Sequence, residues 1–415
     1  MTSATAAPHR PAPWYGRWMI LAGVWLIYFC FGVTIASMAS LITPISAETG
    51  IGNTAMGAIL GAWPLTYIFA AIPCGILLDR LGARPMLFLA ALIMAGSVAA
   101  RSFAETPTQL LLAVAFFGLG GPLISVGAPK IIANLFDGKA RATAMGFYVT
   151  GPYLGGLVAL ALTNSVMMPL ADGNWRTVML IYAALVAASG LVWLVLSGAR
   201  TGHIDADAAG SKKFSLTAFS GLLRLPEVRL ILVLSIGIFF INHALNNWLP
   251  EILLSRGLSP VAAGYWASIP SIVGIIGALI VPRLATPEHR LKVMAALFLA
   301  TLTASLLMQM QPGLPMFIGL ALQGLARGSM MTVAILILME SPSVPKDRLG
   351  LAGGLFFTTA EIGGVLGPPS FGFLSDLGGS FVIKLVSMTV ISVILLLVLL
   401  RLRSLPGSGQ DRINP

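Results

Sequence analysis

The sequence predicts an all-α membrane protein of twelve transmembrane helices, arranged as two pseudo-symmetric six-helix bundles. Hydrophobic residues make up 57% of the 415 residues and charged residues only 10%, whereas soluble domains carry about 25% charged residues. Twelve apolar segments are long enough to cross a hydrocarbon core of about 30 Å as helices. A partial internal repeat relates the two sets of six segments.

The twelve segments fall into two groups of six, separated by the longest polar stretch of the chain. The first group is 18–42, 53–78, 85–100, 108–136, 142–170 and 178–196, and the second is 230–250, 261–281, 291–310, 314–339, 351–374 and 381–400. We predict an N-terminal bundle over 1–196, a cytoplasmic linker over 197–229 with a short surface helix around 214–225, and a C-terminal bundle over 230–415. The first segment is too long for a signal peptide, so we expect it to be retained.

Lysine and arginine are concentrated on one side of this predicted bundle. If both termini are cytoplasmic, 19 of the 25 basic residues lie on the cytoplasmic side. The others are Arg101, Arg176, Arg256 and Lys384 on the outer side, and Lys130 and Arg327 within spans. This bias predicts a multi-pass protein of the cell inner membrane with both termini in the cytoplasm. It also accounts for the net charge of +10 without a nucleic-acid partner.

The two halves share a short sequence pattern. The stretch 144–156 aligns with 352–364 at a constant offset of 208, which is half the chain length. Chance matches between glycines are the alternative explanation in a glycine-rich chain. Agreement with the count of spans favours duplication, and duplicated six-helix bundles place a substrate site near the middle of the membrane between the halves. The identical positions in the first copy are Ala144, Gly146, Thr150, Gly155 and Gly156.

The loop between the second and third spans contains a recognisable motif. It reads Gly75-Ile-Leu-Leu-Asp79-Arg80-Leu-Gly82-Ala-Arg84 and resembles the loop signature of the major facilitator superfamily, with alanine at one basic position. The matching region after the eighth span is degenerate. The resemblance covers the whole chain and implies the major facilitator fold, in which two bundles rock about a central site.

The resemblance also implies a role for this loop as a gate. In the family, Asp79, Arg80 and Arg84 would belong to a network that holds the cytoplasmic side shut in the outward-facing state, and we add Arg141 to that network. Arginine and carboxylate side chains can pair across the two halves. The alternative is that the basic residues serve only the topology of the chain.

The fifth span carries Gly151-Pro152-Tyr-Leu-Gly155-Gly, which resembles the so-called antiporter motif of the superfamily. Proline removes one intrahelical hydrogen bond and the glycines permit close packing, so the helix can bend against a neighbour. Helix packing alone explains these residues equally well, and the motif does not fix the direction of transport.

Ionisable residues near the centre of a membrane helix are costly and are candidates for function. Arg327 lies about 20 Å into the tenth span at a rise of about 1.5 Å per residue, and Glu361 lies at a comparable depth in the eleventh. Arg327 could bind an anionic substrate, pair with Glu361 or anchor the fold. Glu361 could be that partner or a proton-coupling group. Lys130 could extend to the lipid headgroups or serve the site.

The seventh span carries a polar stripe that we expect to face the cavity. Asn242, His243 and Asn246 are helical neighbours, and a lone histidine is no metal site. Gln323 precedes Arg327 by one helical turn. With these residues, we predict a substrate site completed by aromatic side chains of the N-terminal half. The aromatic candidates are Tyr28, Trp63, Tyr67, Phe147, Tyr148 and Tyr153.

The end of the seventh span offers a narrower resemblance. The sequence from Asn247 through Trp248, Pro250 and Gly257 is similar to that of bacterial cyanate and 2-nitroimidazole transporters of the superfamily. The resemblance implies a secondary transporter of a small organic or inorganic anion, coupled to protons or to a counter-substrate and acting as a monomer in the lipid bilayer. Multidrug or neutral-compound efflux and a non-transporting ligand sensor are the alternatives.

The sequence offers no support for an enzyme. It contains no phosphate-binding G-x-x-x-x-G-K-S/T loop, no G-x-S-x-G elbow and no H-E-x-x-H helix. Cys30 and Cys74 lie inside apolar runs, which excludes a disulfide framework or a CxxC metal site. We therefore expect no catalytic residues, no cofactor and no bound metal.

Overall fold

A computed structural model describes residues 14–198, 216–345, 348–378 and 382–405, and all regular secondary structure in this part of the chain is helical. It contains twelve helices that are long and apolar enough to cross a membrane, so the predicted fold class is confirmed. We number them spans 1 to 12. Their bounds are Gly16–Thr49, Asn53–Leu81, Ala83–Ser102, Pro107–Leu135, Gly138–Leu170, Trp175–Ser197, Pro226–Leu254, Pro260–Leu284, Arg290–Leu307, Leu314–Met339, Leu349–Leu377 and Val382–Arg403.

Three of the spans are interrupted. Span 1 consists of helices Trp14–Ser37 and Ile42–Thr49 with a 3₁₀ turn between them, and span 2 of helices Asn53–Leu60 and Ala62–Leu81. Span 5 is helical over Gly138–Leu162 and then forms a π-helical turn. Such breaks at membrane depth are tolerated where neighbouring helices cover them.

Local sequence signals explain where several spans begin. Thr106 and Gln109 form a capping box in which each side chain accepts a backbone N–H of the other residue, and Pro107 occupies the first turn of span 4. The Asn174 side chain accepts the N–H groups of Arg176 and Thr177 at the start of span 6. These contacts satisfy donors that a helix leaves unpaired at its N-terminus.

The predicted linker lies only partly within the described residues. Positions 199–215 fall outside them, and the remainder contains the short helix Leu216–Leu223, where a surface helix is expected. The division of the chain at 196 and 230 stays a prediction. Below, spans 1–6 are called the N-terminal half and spans 7–12 the C-terminal half.

The two halves pack their helices in the same way. A Cβ atom on Gly155 of span 5 would lie 1.9 Å from the Phe29 carbonyl oxygen of span 1. On Gly363 of span 11, 208 positions later, it would lie 1.9 Å from the Ile236 carbonyl oxygen of span 7. Backbones can approach this closely only at glycine, so these matching contacts support the repeat seen in the sequence.

Because the number of spans is even, the chain enters span 1 and leaves span 12 on the same side of the bundle. We call this side, where span 1 begins and span 12 ends, the termini end, and the opposite side the far end. At the far end the halves are in close contact. A Cβ on Gly57 of span 2 would lie 2.5 Å from the Pro368 carbonyl oxygen of span 11, and one on Gly264 of span 8 would lie 2.3 Å from the Leu160 carbonyl oxygen of span 5.

Two carboxylates of the C-terminal half also bind the N-terminal half at the far end. Glu251 accepts hydrogen bonds from the backbone N–H (3.0 Å) and the hydroxyl (2.6 Å) of Thr43. Asp376 accepts them from the Asn53 side chain (3.0 Å) and from the N–H (2.9 Å) and hydroxyl (2.6 Å) of Thr54. Charge-assisted hydrogen bonds of this kind are about twice as strong as neutral ones.

Candidate anion-binding site

The candidate site is built around Arg327, which lies halfway along span 10. Its Nε donates a hydrogen bond of 2.9 Å to the Asn242 side-chain oxygen, and its Nη2 donates to the side-chain oxygen of Asn246. The two asparagines lie one helical turn apart on span 7, as the predicted polar stripe requires. The third nitrogen, Nη1, makes no hydrogen bond to a described residue and is not sealed in. It can therefore donate to a ligand.

Glu361 does not pair with Arg327, so one of the alternatives left open by the sequence is wrong in this conformation. Its Oε2 instead lies 3.7 Å from Nε2 of His243, and it makes no hydrogen bond to a described residue. Gly364 leaves room for this carboxylate, because a Cβ there would lie 2.6 Å from Oε2. Among the described residues, Arg327 has no carboxylate partner within ion-pair distance.

His243 connects the two halves through its ring. It stacks on Trp63 of span 2, with centroids 5.2 Å apart and planes at 27°, and on Phe239 of its own helix at 5.8 Å. Trp63 belongs to the opposite half. Asn247, which follows Asn246 on span 7, is buried and donates a hydrogen bond to the His243 carbonyl oxygen.

The N-terminal half contributes tyrosines at the same depth. Tyr28 and Tyr148 stack at 4.5 Å with nearly parallel rings. The Tyr67 hydroxyl lies 2.6 Å from Ser125 Oγ. Tyr153 is close enough to Arg327 to interact with it electrostatically. Four predicted aromatic residues thus face the same central region as the arginine.

Two other predicted residues fit the site less well. Gln323 is fully buried, and neither atom of its amide has a hydrogen-bond partner among the described residues, so its contact with a substrate stays a prediction. Phe147 is 46% exposed and stacks on Trp25 at 5.6 Å, so nothing connects it to Arg327.

The site is positively charged at its centre and rich in donors. A guanidinium and two asparagine amides can bind a carboxylate or a similar planar anion, and the amide nitrogens can serve hydroxyl groups next to it. No group of three or more histidine, cysteine, aspartate or glutamate side chains able to hold a metal occurs in the described ranges. The arrangement is chemically suited to a small polar anion.

The predicted gate residues make contacts inside the N-terminal half. Asp79 forms an ion pair of 2.7 Å with Lys130, a partner that the sequence does not indicate. Arg84 donates to Ser197 Oγ (3.1 Å) and the Leu194 carbonyl oxygen (3.3 Å). Arg80 is exposed. Their pairing across the halves, which the resemblance places in the other conformation, stays a prediction.

Arg141 also stays within its own half. It donates to the Phe136 and Ala133 carbonyl oxygens at 2.7 and 2.8 Å and to Asp137 at 3.2 Å. These contacts hold the start of span 5 against the end of span 4. Its part in a gate is therefore a prediction as well.

The glycine-proline motif of span 5 lies at the tightest contact with span 1. A Cβ on Gly32 would lie 2.1 Å from the Pro152 carbonyl oxygen, and Gly151 faces span 1 in the same way, with a Cβ 3.2 Å from the Trp25 carbonyl oxygen. Together with Gly155, these residues serve close packing. The helix continues through Pro152, and a role in bending stays a prediction.

Two basic residues assigned to the outer side are buried within spans. Arg101 is 2% exposed near the end of span 3 and donates to the Thr34 carbonyl oxygen (3.1 Å) and to Ser97 Oγ (3.2 Å). Lys384 is 6% exposed, with its Nζ 4.7 Å from the centroid of the Trp248 ring. Span 3 extends two residues past its predicted end and so includes Arg101, whereas position 384 lies within the predicted span 381–400. A polar residue at the edge of an apolar run gives little sign of whether its side chain is buried.

Known transporters resemble the chain along most of its length. It is 22% identical to the probable galactarate/D-glucarate transporter GudP of Escherichia coli (strain K12), over 87% of this chain and 88% of the relative. It is 23% identical to the D-galactonate transporter of Escherichia coli O6:H1 (91% and 93%) and 23% to the hexuronate transporter of Bacillus subtilis (83% and 85%).

Solved structures share the fold. The nucleoside transporter NupG superposes with a TM-score of 0.78 at 16% identity, over 93% of this chain and 99% of that one. The D-xylose–proton symporter gives a TM-score of 0.74 at 16% identity, over 94% and 98%. The family model described as Major Facilitator Superfamily matches residues 24–309, which is more than half of the chain. With twelve spans in this arrangement, the chain belongs to the Major Facilitator Superfamily of membrane transporters.

Proposed function

We propose that the protein is a secondary transporter that moves a small organic or inorganic anion across the inner membrane by alternating access. The substrate would bind between the two halves at Arg327, and protons or a counter-substrate would drive the cycle. We further propose that it works as a monomer, because one chain supplies every residue of the site.

The observation that carries this proposal is the charge of Arg327. A cation in the middle of the membrane is costly, and an unpaired buried charge is costlier than a paired one. The neutral oxygens of Asn242 and Asn246 solvate the guanidinium but do not cancel its charge. A substrate anion bound to Nη1 would cancel it.

The relatives suggest which anions to test first. Their names specify galactarate, D-glucarate, D-galactonate and hexuronate, all of which are sugar acids with a carboxylate and several hydroxyl groups. The amides of Asn242 and Asn246 and the hydroxyl of Tyr153 could form hydrogen bonds with such hydroxyl groups. The shorter likeness to cyanate and 2-nitroimidazole transporters is not supported by these names, so cyanate is a second choice.

The conformation fits one half of a transport cycle. The far end is closed by direct contacts between the halves. If the termini lie in the cytoplasm, as the distribution of basic residues indicates, the closed far end makes this an inward-facing or an occluded state. In the outward-facing state the far-end contacts would break, and Asp79, Arg80, Arg84 and Arg141 would close the termini end.

The proposal can be tested with Arg327→Gln. Purified protein is screened by thermal shift against D-galactonate, D-galactarate, D-glucuronate, 4-hydroxybenzoate, cyanate and a cationic drug. The anions that stabilise the wild type are then used in counterflow with proteoliposomes. We expect the variant to bind at least about 30-fold more weakly, equivalent to about 2 kcal/mol. The matched control Arg283→Gln, at an exposed position, should behave like the wild type.

Three outcomes would contradict the proposal. If anions stabilise the wild type and the Arg327→Gln variant equally, the site is wrong. If the wild type binds an anion but shows no trans-stimulated flux, the protein is a sensor. If only cationic or neutral drugs are bound and moved, the protein is an efflux transporter.

A further inference from the structure

A second pair of ionisable groups lies beside Arg327 and is not needed to bind the anion. His243 on span 7 and Glu361 on span 11 are both buried in the C-terminal half. We propose that they form one proton-binding site, and that Trp63 couples its occupancy to closure of the far end. The inference rests on the proposed anion transport and specifies how a proton would drive it.

The geometry of the pair suits a single shared proton. The side chains are 12% and 9% exposed, with Nε2 and Oε2 3.7 Å apart, and Oε2 has no hydrogen-bond partner among the described residues. Without a proton, the pair leaves an uncompensated buried carboxylate. One added proton either neutralises the carboxyl group or creates an imidazolium–carboxylate pair, and in both forms the net charge is zero. Coupled groups of this kind titrate as a pair.

The neighbouring groups set the charge around this pair. Span 10 contributes Arg327, which is close enough to His243 to act on it electrostatically. Span 2 contributes Tyr67, close to Glu361, and the aromatic ring of Trp63. On span 7 itself, the neighbours Phe239 and Asn242 are uncharged. Of the neighbouring groups named here, Arg327 is the one that carries a charge, and this positive charge acts on the protonated pair.

Substrate and proton should therefore favour each other's binding. The positive charge of Arg327 repels an imidazolium at His243. An anion bound to Arg327 cancels that charge and removes the repulsion. By linkage, a proton on the pair must then strengthen binding of the anion by the same factor. A monoanion and one proton together add no net charge to the middle of the membrane.

Trp63 connects this proton site to the conformation. Its indole lies in the N-terminal half, stacked on the His243 ring at 5.2 Å, and an imidazolium over an indole face gains a cation–π attraction. Near Trp63, Gly61 packs on span 11, where a Cβ would lie 2.7 Å from the Val365 carbonyl oxygen. Opening the far end would separate spans 2 and 11 and break the stack. A bound proton would therefore favour the closed far end.

The test measures protons and substrate together. Proteoliposomes are loaded with the pH dye pyranine, and the external buffer is made more acidic than the interior. Proton entry and uptake of labelled D-galactonate are then followed together. In the wild type we expect about one proton per monoanion. In His243→Gln and in Glu361→Gln the ratio should fall at least fivefold, and the rate of D-galactonate counterflow should lose its dependence on pH. His289→Gln and Glu105→Gln, both at exposed positions, are the matched controls and should keep the wild-type ratio.

Trp63 is tested as a positioning residue. Trp63→Leu should lower the proton ratio at least threefold, whereas Trp63→Phe, which keeps an aromatic face, should restore most of it. Elution as a single species in detergent shows that each variant is folded. If a glutamine variant does not fold, His243→Asn and Glu361→Asn, which also cannot hold the proton, replace it, and the same loss of ratio is expected.

The possible failures are distinguishable. If the wild type moves D-galactonate with protons and the pair variants keep the wild-type ratio, this inference is overturned and the proposed function stands. If the wild type moves D-galactonate without any proton movement, the inference is overturned as well. If it moves no anion from the panel, the proposed function fails first.

Discussion

The two ends of the bundle are held together in different ways. At the far end, backbone approaches glycine across the halves, and Glu251 and Asp376 of the C-terminal half accept hydrogen bonds from the N-terminal half. At the termini end, Asp79 and Arg84 find their partners within the N-terminal half. The far end is a formed interface between the halves, whereas Asp79 and Arg84 at the termini end bind residues of their own half.

This difference indicates which contacts stabilise each conformation. Closure of the far end depends on close backbone packing at glycines and on carboxylates that accept hydrogen bonds across the halves. Substitutions at these positions should therefore change the fraction of molecules whose far end is closed. Changes to the internal pairs of the termini end should leave the far end closed and act on the opposite state.

The largest effect is expected at Gly372 of span 11, with Gly354 of the same helix as the matched control. A Cβ on Gly372 would lie 2.2 Å from the Asn53 carbonyl oxygen of span 2, whereas one on Gly354, nearer the termini end, meets nothing within 4 Å. Overpacking costs about 1–3 kcal/mol. Gly372→Ala should therefore shift the population towards an open far end by about 5- to 150-fold. Gly354→Ala should leave the far end closed.

The measurement is a distance between spin labels at positions 105 and 311. These positions lie in far-end loops of opposite halves, and double electron–electron resonance should show a longer distance in Gly372→Ala. Equal distributions in Gly372→Ala, Gly354→Ala and the unsubstituted chain would mean that the close approach is not what sets the closed state.

A smaller shift is expected from the two carboxylates. Glu251→Gln together with Asp376→Asn removes charge-assisted hydrogen bonds to Thr43 and Thr54. Asp376 is exposed and contributes under about 1 kcal/mol. Glu251 is more enclosed, but glutamine keeps an oxygen that accepts the Thr43 hydrogen bonds, so Glu251→Gln should lose only about half of the ~1.5–3 kcal/mol of a charged hydrogen bond. The single Glu251→Gln variant should thus account for most of the lengthening between the same two labels. A larger effect of Asp376→Asn would contradict this ranking.

The smallest effect on the closed far end is expected from Asp79→Asn. The ion pair with Lys130 is partly exposed, so its loss should lower the free energy of unfolding by less than about 1 kcal/mol, measured as a small change in Tm. If Asp79 instead closes the termini end in the other state, counterflow should slow although the spin-label distance is unchanged. A lengthened distance in this variant would show that the two ends are not separable.

The sequence predicts the fold well because hydrocarbon imposes strong rules. Spans must be long, apolar and helical, so all twelve are found, and counting residues along span 10 places Arg327 at its middle. The sequence does not settle which partner Arg327 takes. That choice depends on how spans 7 and 10 rotate against each other, and Asn242 and Asn246 turn out to face it.

Longer-range pairs are missed for a similar reason. Lys130 and Asp79 are 51 positions apart, and nothing in either local pattern indicates the other. Glu361 pairs with His243 because Gly364 leaves space for its side chain, a packing detail that a single sequence does not carry. The burial of Arg101 is not predicted, because it depends on a carbonyl of span 1 close to the point where that helix is interrupted.

The hydrogen bond between Thr43 and Glu251 joins positions that are 208 apart, the same offset that separates the two copies of the repeat. The matched glycine contacts of spans 5 and 11, however, pair Phe29 of span 1 with Ile236 of span 7, an offset of 207. Thr43 and Glu251 are therefore neighbouring positions of the two copies and not exact equivalents. Two identical subunits related by a twofold axis would make each such contact twice, whereas a single chain can carry a hydroxyl donor on one copy and a carboxylate acceptor on the other.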